Sequence, residues 1–182
     1  MCIRDRFPSR RTYLTAVDDV RFDILPGQVL GLVGESGSGK STVARMIAGL
    51  TAADAGTVTF DRDLVSDLKN HDVQRAYRQE IQMIFQDPYS SLNPRMRVDR
   101  IIAEPIRHHR MLSGRDIPAR VAELLEQVGL GADARVKYPH EFSGGQRQRI
   151  AIARALASQP RFLICDEPVS YTHLTLPTIY SV

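Results

Sequence analysis

The stretch "GESGSGKS", from Gly34 to Ser41, decides the fold. It follows the apolar run "QVLGLVG", which is typical of a buried strand, and it opens the helical pattern "KSTVARMIAGL". Glycines let the backbone curl so that its N–H groups point inward, and a helix N-terminus adds positive potential. A strand, the pattern G-x-x-x-x-G-K-S and a helix, in that order, predict a loop that holds the phosphates of a nucleotide.

The loop contains two side chains with distinct predicted roles. Lys40 should reach the β- and γ-phosphates, and Ser41 should place its hydroxyl on Mg²⁺. The alternative, a glycine-rich turn with a chance lysine, is disfavoured by the strand and helix on either side. The residues predicted to bind ATP are Gly34, Glu35, Ser36, Gly37, Ser38, Gly39, Lys40, Ser41 and Thr42.

A second buried strand, "RFLICDE", ends in two acids. Asp166, at the strand end, can hold Mg²⁺ through water, and Glu167 can polarise an attacking water molecule. A strand that ends in Asp-Glu is often only a solvated strand end. Combined with the phosphate loop, it predicts the acids of a nucleotide hydrolase.

The stretch "EFSGGQRQRIAIARAL", from Glu141 to Leu156, predicts a second anion site. Ser143 is a natural helix N-cap, and Gly144 and Gly145 leave the first amides of the helix uncovered. Lys40 is already expected to bind the γ-phosphate of the nucleotide in its own subunit. The simplest role of this second site is therefore to bind nucleotide held by a second subunit. The alternative is an ordinary capped helix with a basic, amphipathic face.

These motifs together resemble those of ATP-binding subunits of ABC transporters. "GESGSGKS" resembles the Walker A motif, "FSGGQ" the signature, "FLICDE" the Walker B motif and "IFQDP" the Q-loop. The resemblance implies an α/β P-loop NTPase fold of ABC type. It further implies an N-terminal antiparallel β region, a helical subdomain inserted between Q-loop and signature, and a core whose C-terminal part is missing.

The resemblance also implies roles for individual residues. The expected catalytic residues are Glu167 and Gln86, the latter sensing nucleotide and touching the metal and the attacking water. The expected cofactors are ATP and Mg²⁺, with Ser41, Gln86 and Asp166 as metal ligands. The signature residues expected to act in trans are Ser143, Gly144, Gly145 and Gln146.

A closer resemblance, to the dipeptide/oligopeptide (peptide/nickel) importer branch, rests on "YSSLNPR" and "YPHEFSGGQRQRIAIARAL". It implies ATP hydrolysis that powers import of peptides or similar solutes, at the cytoplasmic face of the cell membrane. The implied partners are membrane permease subunits, a second ABC ATPase subunit (identical or not) and, indirectly, a solute-binding protein, but no nucleic acid. The loop Pro88–Arg97 is the candidate permease contact, with a plain exposed loop as the alternative.

Two other classes of ABC ATPase stay open as alternatives: soluble ATPases that act on nucleic acid or in translation, and export-type ATPases. The region between Walker A and signature has no sustained heptads and no cysteine cluster, which disfavours the DNA-repair type.

"RHHR" (Arg107–Arg110) is interpreted as a solvated helix end rather than a metal or phosphate site. Tyr13 is a weak candidate for stacking on adenine, with a strand-edge tyrosine as the favoured alternative.

Composition and patterning fit one soluble domain. The 182 residues are 43% hydrophobic and 25% charged, with net charge +3, no signal-peptide pattern and no long apolar run. Two cysteines predict no disulfide framework and favour a reducing cytosol.

Predicted strands cover 16–24, 28–34, 56–60 and 81–86. The segment "KSTVARMIAGL" predicts a helix that stops at Gly49. A second predicted helix covers 116–128, capped by Asp116 and followed by Gly129, and a third starts at Ser143. The apolar residues on one face of the second helix are Ile117, Val121, Leu124, Leu125 and Val128.

The two ends of the chain do not fit the pattern. "VSYTH" (Val169–His173) can be encoded by GTC TCT TAT ACA CAT, whose reverse complement encodes "MCIRD", the first five residues. This resembles a transposase end sequence used in preparing sequencing libraries. We therefore expect residues 1–6 and 171–182 to be non-native and 7–170 to be a partial ABC ATPase domain, with its helical subdomain at about 90–157. We expect the isolated chain to bind ATP poorly and not to turn it over.

Overall fold

The computed structural model describes residues 15–61, 63–64, 71–87 and 91–166. In chain order the elements are α1 (Lys40–Ile47), β1 (Thr59–Phe60), β2 (Asp63–Leu64), α2 (His71–Glu80), β3 (Ile81–Ile84), α3 (Val98–His108), α4 (Ile117–Gln127), α5 (Gly144–Leu156) and β4 (Phe162–Cys165). Two 3₁₀ helices, Ala132–Val136 and Pro139–Glu141, connect α4 to α5. Within the described ranges, none of the helices has the length and apolar character needed to cross a membrane.

The largest core lies between α3, α4 and α5. Ile102 of α3, Leu124 of α4 and Ile150 of α5 are fully buried in one apolar cluster. The apolar face predicted for α4 is confirmed, because four of its five members are buried in this cluster and Val128 packs against it. A continuous core of this kind explains why three helices of ordinary length hold together, since burial of their apolar stripes drives the packing.

Glycines end two helices as the sequence predicts. Gly49 after α1 and Gly129 after α4 adopt φ angles of 67° and 69°, in the left-handed region that favours glycine. After α4 the N–H of Leu130 donates to the carbonyl of Leu125 at 2.8 Å, which completes a Schellman motif.

The N-cap prediction for α4 is correct in its position but wrong about the capping hydrogen bond. Asp116 occupies the N-cap position, but its backbone is helical (φ −91°, ψ −19°) and its side chain makes no capping bond. Its carboxylate accepts instead from the hydroxyl of Ser113. An N-cap side chain needs an extended backbone to reach back to the helix amides, and this backbone is not extended.

A parallel strand pair lies beside the helices. β3 and β4 pair in register from Ile81 opposite Phe162 to Ile84 opposite Cys165, which confirms both strand predictions. Ile152 of α5 packs against Ile84 on one side of the pair. Tyr77 of α2 packs with Ile81 in a separate cluster. The carboxyl ends of the two strands therefore meet at one edge.

Among the described residues, antiparallel pairing occurs in the hairpin of β1 and β2. The strand predicted at 56–60 forms only in its last two residues, Thr59 and Phe60. Arg161, just before β4, joins this hairpin to the parallel pair. Its guanidinium lies 3.2 Å from carboxylate oxygens of both Asp61 and Glu80, and 5.4 Å from the ring centre of Phe60.

Two strand predictions are wrong. Residues 16–24 and 28–34 are not strands in this structure, and Val29 and Val33 are 98% and 93% exposed. An apolar run becomes a strand only where its backbone groups pair with a neighbour. Within the described residues, β3 and β4 pair with each other, and neither extends to these segments. The predicted non-native ends and Tyr13 lie outside the described residues.

Candidate functional site

The glycine-rich loop turns directly into α1. Gly37 and Gly39 adopt φ angles of 84° and 93°. At Gly39 an added Cβ would also lie 2.4 Å from the carbonyl oxygen of Ala16, so both conformation and space require glycine there. Residues 34–38 are exposed, which leaves the interior of the loop open to a ligand.

Lys40 folds its side chain back over this loop. Its ammonium donates to the carbonyl of Gly34 at 2.8 Å and to the carbonyl of Glu35 at 2.7 Å. The positive charge of Lys40 is thereby held against two backbone carbonyls of the loop. Charge-assisted bonds to phosphate oxygens are stronger than bonds to neutral carbonyls, so an entering phosphate can take over this cation. Thr42 follows in the first turn of α1 and is half-buried.

The central observation at this site joins the loop to the second strand. The hydroxyl of Ser41 donates to Oδ1 of Asp166 at 2.9 Å, across 125 positions of sequence. The amide of Asp166 donates to the carbonyl of Ile84 at 3.0 Å, which fixes the end of β4 against β3. The tertiary structure thus brings together two oxygen-bearing side chains that the sequence assigned separately to one metal ion.

The oxygens of Ser41 and Asp166 fit Mg²⁺. This cation prefers oxygen ligands and in nucleotide sites usually takes one or two protein groups together with phosphates and water. In the described residues there is no group of three or more His, Cys, Asp or Glu side chains that could hold a metal by itself. The oxygens of Ser41 and Asp166 therefore suit a cation whose remaining ligands are nucleotide phosphates and water.

Of the two predicted catalytic residues, the structure describes Gln86. Gln86 is exposed and follows β3 by two positions, at the edge where Asp166 follows β4. Parallel strand ends lie side by side, so both residues belong to the same edge of the sheet. Glu167 lies outside the described residues.

The start of α5 is built as the sequence predicts. Oγ of Ser143 accepts from the amide of Gln146 at 3.3 Å, and the amide of Ser143 donates to Oε1 of Gln146 at 3.0 Å. This reciprocal pair is a capping box. An added Cβ at Gly144 or Gly145 would meet no atom within 4 Å, so the helix N-terminus is open. In the part of the chain that the structure describes, no hydrogen bond joins this terminus to the phosphate loop.

Sequence reasoning missed Arg154 of α5. Its guanidinium donates to the carbonyl of Ser91 at 2.7 Å and lies 3.4 Å from Glu104 of α3. It thereby ties the loop predicted to contact a permease to two helices, beside a cavity of about 360 Å³. The sequence feature that could have revealed Arg154 is its charge, which is the only one in the apolar run "IAIARAL".

Comparison with known proteins decides the family. Residues 17–170 match the family model described as ABC transporter. The chain belongs to the ABC transporter family. This result confirms the family that the motifs predicted.

Three relatives of this ABC chain are named as ATP-binding proteins of oligopeptide transport or of glutathione import. It is 51% identical over 169 residues to the oligopeptide transport ATP-binding protein OppF of Bacillus subtilis, covering 92% of the chain and 55% of OppF. It is 52% identical over 156 residues to OppF of Streptococcus mutans, covering 85% and 50%. It is 51% identical over 172 residues to the glutathione import ATP-binding protein GsiA of Escherichia coli, covering 91% and 27%. The chain therefore spans about half the length, or less, of these relatives.

A solved structure supports the fold. The ABC chain resembles a dimeric, post-hydrolysis structure of the ATP-binding cassette MJ0796 bound to ADP and Pi, with a TM-score of 0.66 and 33% identity. The match covers 75% of this chain and 59% of that one. The predicted α/β P-loop fold of ABC type is confirmed.

Proposed function

We propose that this chain is the ATP-binding and ATP-hydrolysing part of a subunit that powers import of peptides or similar solutes through a membrane permease. The observation that carries the proposal is the 2.9 Å hydrogen bond between Ser41 and Asp166, which joins the phosphate loop to the acid at the end of β4. The importer role is supported by relatives named for oligopeptide transport and glutathione import.

Nucleotide binding is assigned to residues 34–42. Backbone N–H groups of the loop would donate to the phosphates, and Lys40 would exchange its two carbonyl acceptors for β- and γ-phosphate oxygens. The positive potential of the N-terminus of α1 favours the same charges, with a contribution of up to about 2 kcal/mol.

Hydrolysis is assigned to the strand edge. Mg²⁺, when bound, would neutralise charge on the β- and γ-phosphates, and Ser41, Gln86 and Asp166 are the residues proposed to hold it. Glu167 would accept a proton from the attacking water, and Gln86 would orient that water. Such reactions depend on positioning and electrostatics, with general-base assistance contributing about 10²- to 10⁴-fold.

The proposed partners follow from the open terminus of α5 and from the relatives. Ser143, Gly144, Gly145 and Gln146 would contact nucleotide bound to a second ABC ATPase subunit, and the similar solved structure is described as dimeric. The loop 88–97 would contact the permease, which places the protein peripherally at the cytoplasmic face of the membrane. A solute-binding protein would act indirectly, and no nucleic acid is involved. The proposed domain covers residues 7–170, with its helical part at about 90–157.

Binding of a fluorescent ATP analogue, titrated with and without Mg²⁺, tests the site. Mg²⁺ is expected to strengthen binding of the analogue to the wild type but not to Ser41→Ala, because the variant has lost a metal ligand. Ser113→Ala is the matched control, since it removes a hydroxyl that also donates to an aspartate but lies far along the chain. An unchanged Mg²⁺ dependence in Ser41→Ala would contradict the assignment. Import is tested in cells whose complete gene carries either Lys40 or Lys40→Ala. The variant is expected to lose uptake of a labelled tripeptide, and equal uptake in the two strains would contradict the import role.

A further inference from the structure

Helix α5 contacts the chain on both sides of Gln86. Before Gln86, the side chain of Ile152 packs against Ile84, the last residue of β3. After Gln86, the guanidinium of Arg154 donates to the carbonyl of Ser91 at 2.7 Å, across 63 positions of sequence. Because Gln86 lies between these two contacts, the segment that contains it is held on both sides by one helix.

The packing of α5 makes it a stiff support for that segment. The helix has 13 residues, which corresponds to a length of about 20 Å, and Ile150, Ile152 and Ala153 on its inward side are buried. Closely packed interiors have low compressibility and transmit strain. A contact made by the last turn of α5 is therefore as fixed in space as the helical core itself.

Of the two contacts that Arg154 makes, the one to the loop is the stronger. The ion pair with Glu104 is 3.4 Å long between side chains that are 39% and 54% exposed, so it contributes little. The bond to the carbonyl of Ser91 is partly buried and has a charged donor, which makes it stronger than a bond between neutral groups. Packing does not replace this bond, because the cavity of about 360 Å³ is lined by residues of both this loop and α3. The peptide group of Ser91 therefore depends on Arg154 for its position.

A second arginine of α5 provides a comparison within the same helix. Nη1 of Arg149 donates to the carbonyl of Gly129 at 3.3 Å and lies 3.5 Å from that of Val128. Both carbonyls belong to the end of α4, inside the helical core. Arg149 thus makes the same kind of contact as Arg154, from the same helix, but to a part of the chain distant in sequence from Gln86.

We propose that Arg154 is a positioning residue for Gln86. The inference rests on the proposed function, in which Gln86 orients the attacking water. Arg154 acts through the backbone: it fixes the peptide group of Ser91 and so limits the movement of the segment that begins at the end of β3. Correct placement matters in such reactions, since a displacement of about 1 Å caused by a distant mutation can lower a rate about 100-fold.

A double-mutant cycle on ATP hydrolysis by the complete subunit tests this role. Arg154→Met keeps most of the apolar side chain but removes the donors. It should lower kcat about tenfold or more and leave KM for ATP within about twofold, because the contact acts on the chemical step. In Gln86→Ala protein, the same substitution should change kcat by less than about twofold, because the residue through which Arg154 acts is absent.

Arg149→Met is the matched control. Any loss of kcat that it causes should be the same factor with and without Gln86. Urea unfolding of each variant is measured first. Equal fold losses from Arg154→Met in the two backgrounds would overturn the proposal, since a loss of folded protein or a general loosening of α5 lowers both alike.

A second substitution keeps the test decisive. If Arg154→Met does not fold, Arg154→Lys takes its place in the same cycle, because lysine retains the charge but not the planar fork of donors. A smaller loss of kcat that again disappears in Gln86→Ala protein supports the proposal, and an equal loss in both backgrounds refutes it. Absence of ATP hydrolysis by the wild type would instead contradict the proposed function, and this inference with it.

Discussion

Replacement of Ser143 by alanine or by aspartate separates two roles that this residue combines. In the structure Ser143 closes a capping box with Gln146, through bonds of 3.3 and 3.0 Å. In the proposed dimer the same open terminus contacts phosphate held by a second subunit. Alanine removes both functions, whereas aspartate retains the cap, because aspartate and serine are about equally good N-cap residues.

The expected magnitudes differ for the two roles. Loss of the cap in Ser143→Ala should lower the free energy of unfolding by about 1 kcal/mol. Ser143→Asp should leave it unchanged or raise it slightly, since a carboxylate is favourable at a helix N-terminus. Against a phosphate about 4 Å away, the new charge would be repelled by about 4 kcal/mol at an effective dielectric constant of about 20.

Urea unfolding and ATP-dependent dimerisation by sedimentation are the two assays. Ser143→Asp should be as stable as the wild type but should lose dimerisation more completely than Ser143→Ala. Thr57→Asp adds the same charge at an exposed position and should leave both properties unchanged. The reasoning is refuted if Ser143→Asp dimerises like the wild type, or if the loss of dimerisation in both Ser143 variants merely follows their loss of stability.

Two further predictions concern the fold. Leu124→Ala, at a fully buried position of the helical core, should cost about 3 kcal/mol of unfolding free energy, whereas Leu25→Ala, at a residue 62% exposed, should cost less than about 0.5 kcal/mol. Equal losses in urea unfolding would show that this core does not hold the chain together. Burial raises the pKa of Tyr77 to about 12, and its hydroxyl donates to the carbonyl of Ile47. An unfolded tyrosine loses its proton near pH 10, so stability should be full below about pH 10 and fall between about 10 and 12. Tyr77→Phe should not show this alkaline loss, and an unchanged pH dependence in the variant would contradict the explanation.

Local motifs made much of the site predictable. The N-cap at Ser143 and the helix ends at Gly49 and Gly129 depend on backbone preferences within a few residues, so sequence is sufficient to find them. The face of α4 depends only on helical periodicity and was likewise predicted. The strands predicted at 16–24 and 28–34 failed because a strand depends on a pairing partner, which periodicity cannot supply.

By itself, the sequence determined which residues can do chemistry: a phosphate loop, a strand-end acid and an open, capped helix terminus. Each of these signals is a property of a short segment. Only the tertiary structure decided which of them meet. The bond from Ser41 to Asp166 spans 125 positions, and Arg154 reaches back to Ser91. Both contacts depend on how helices and strands pack rather than on any local preference.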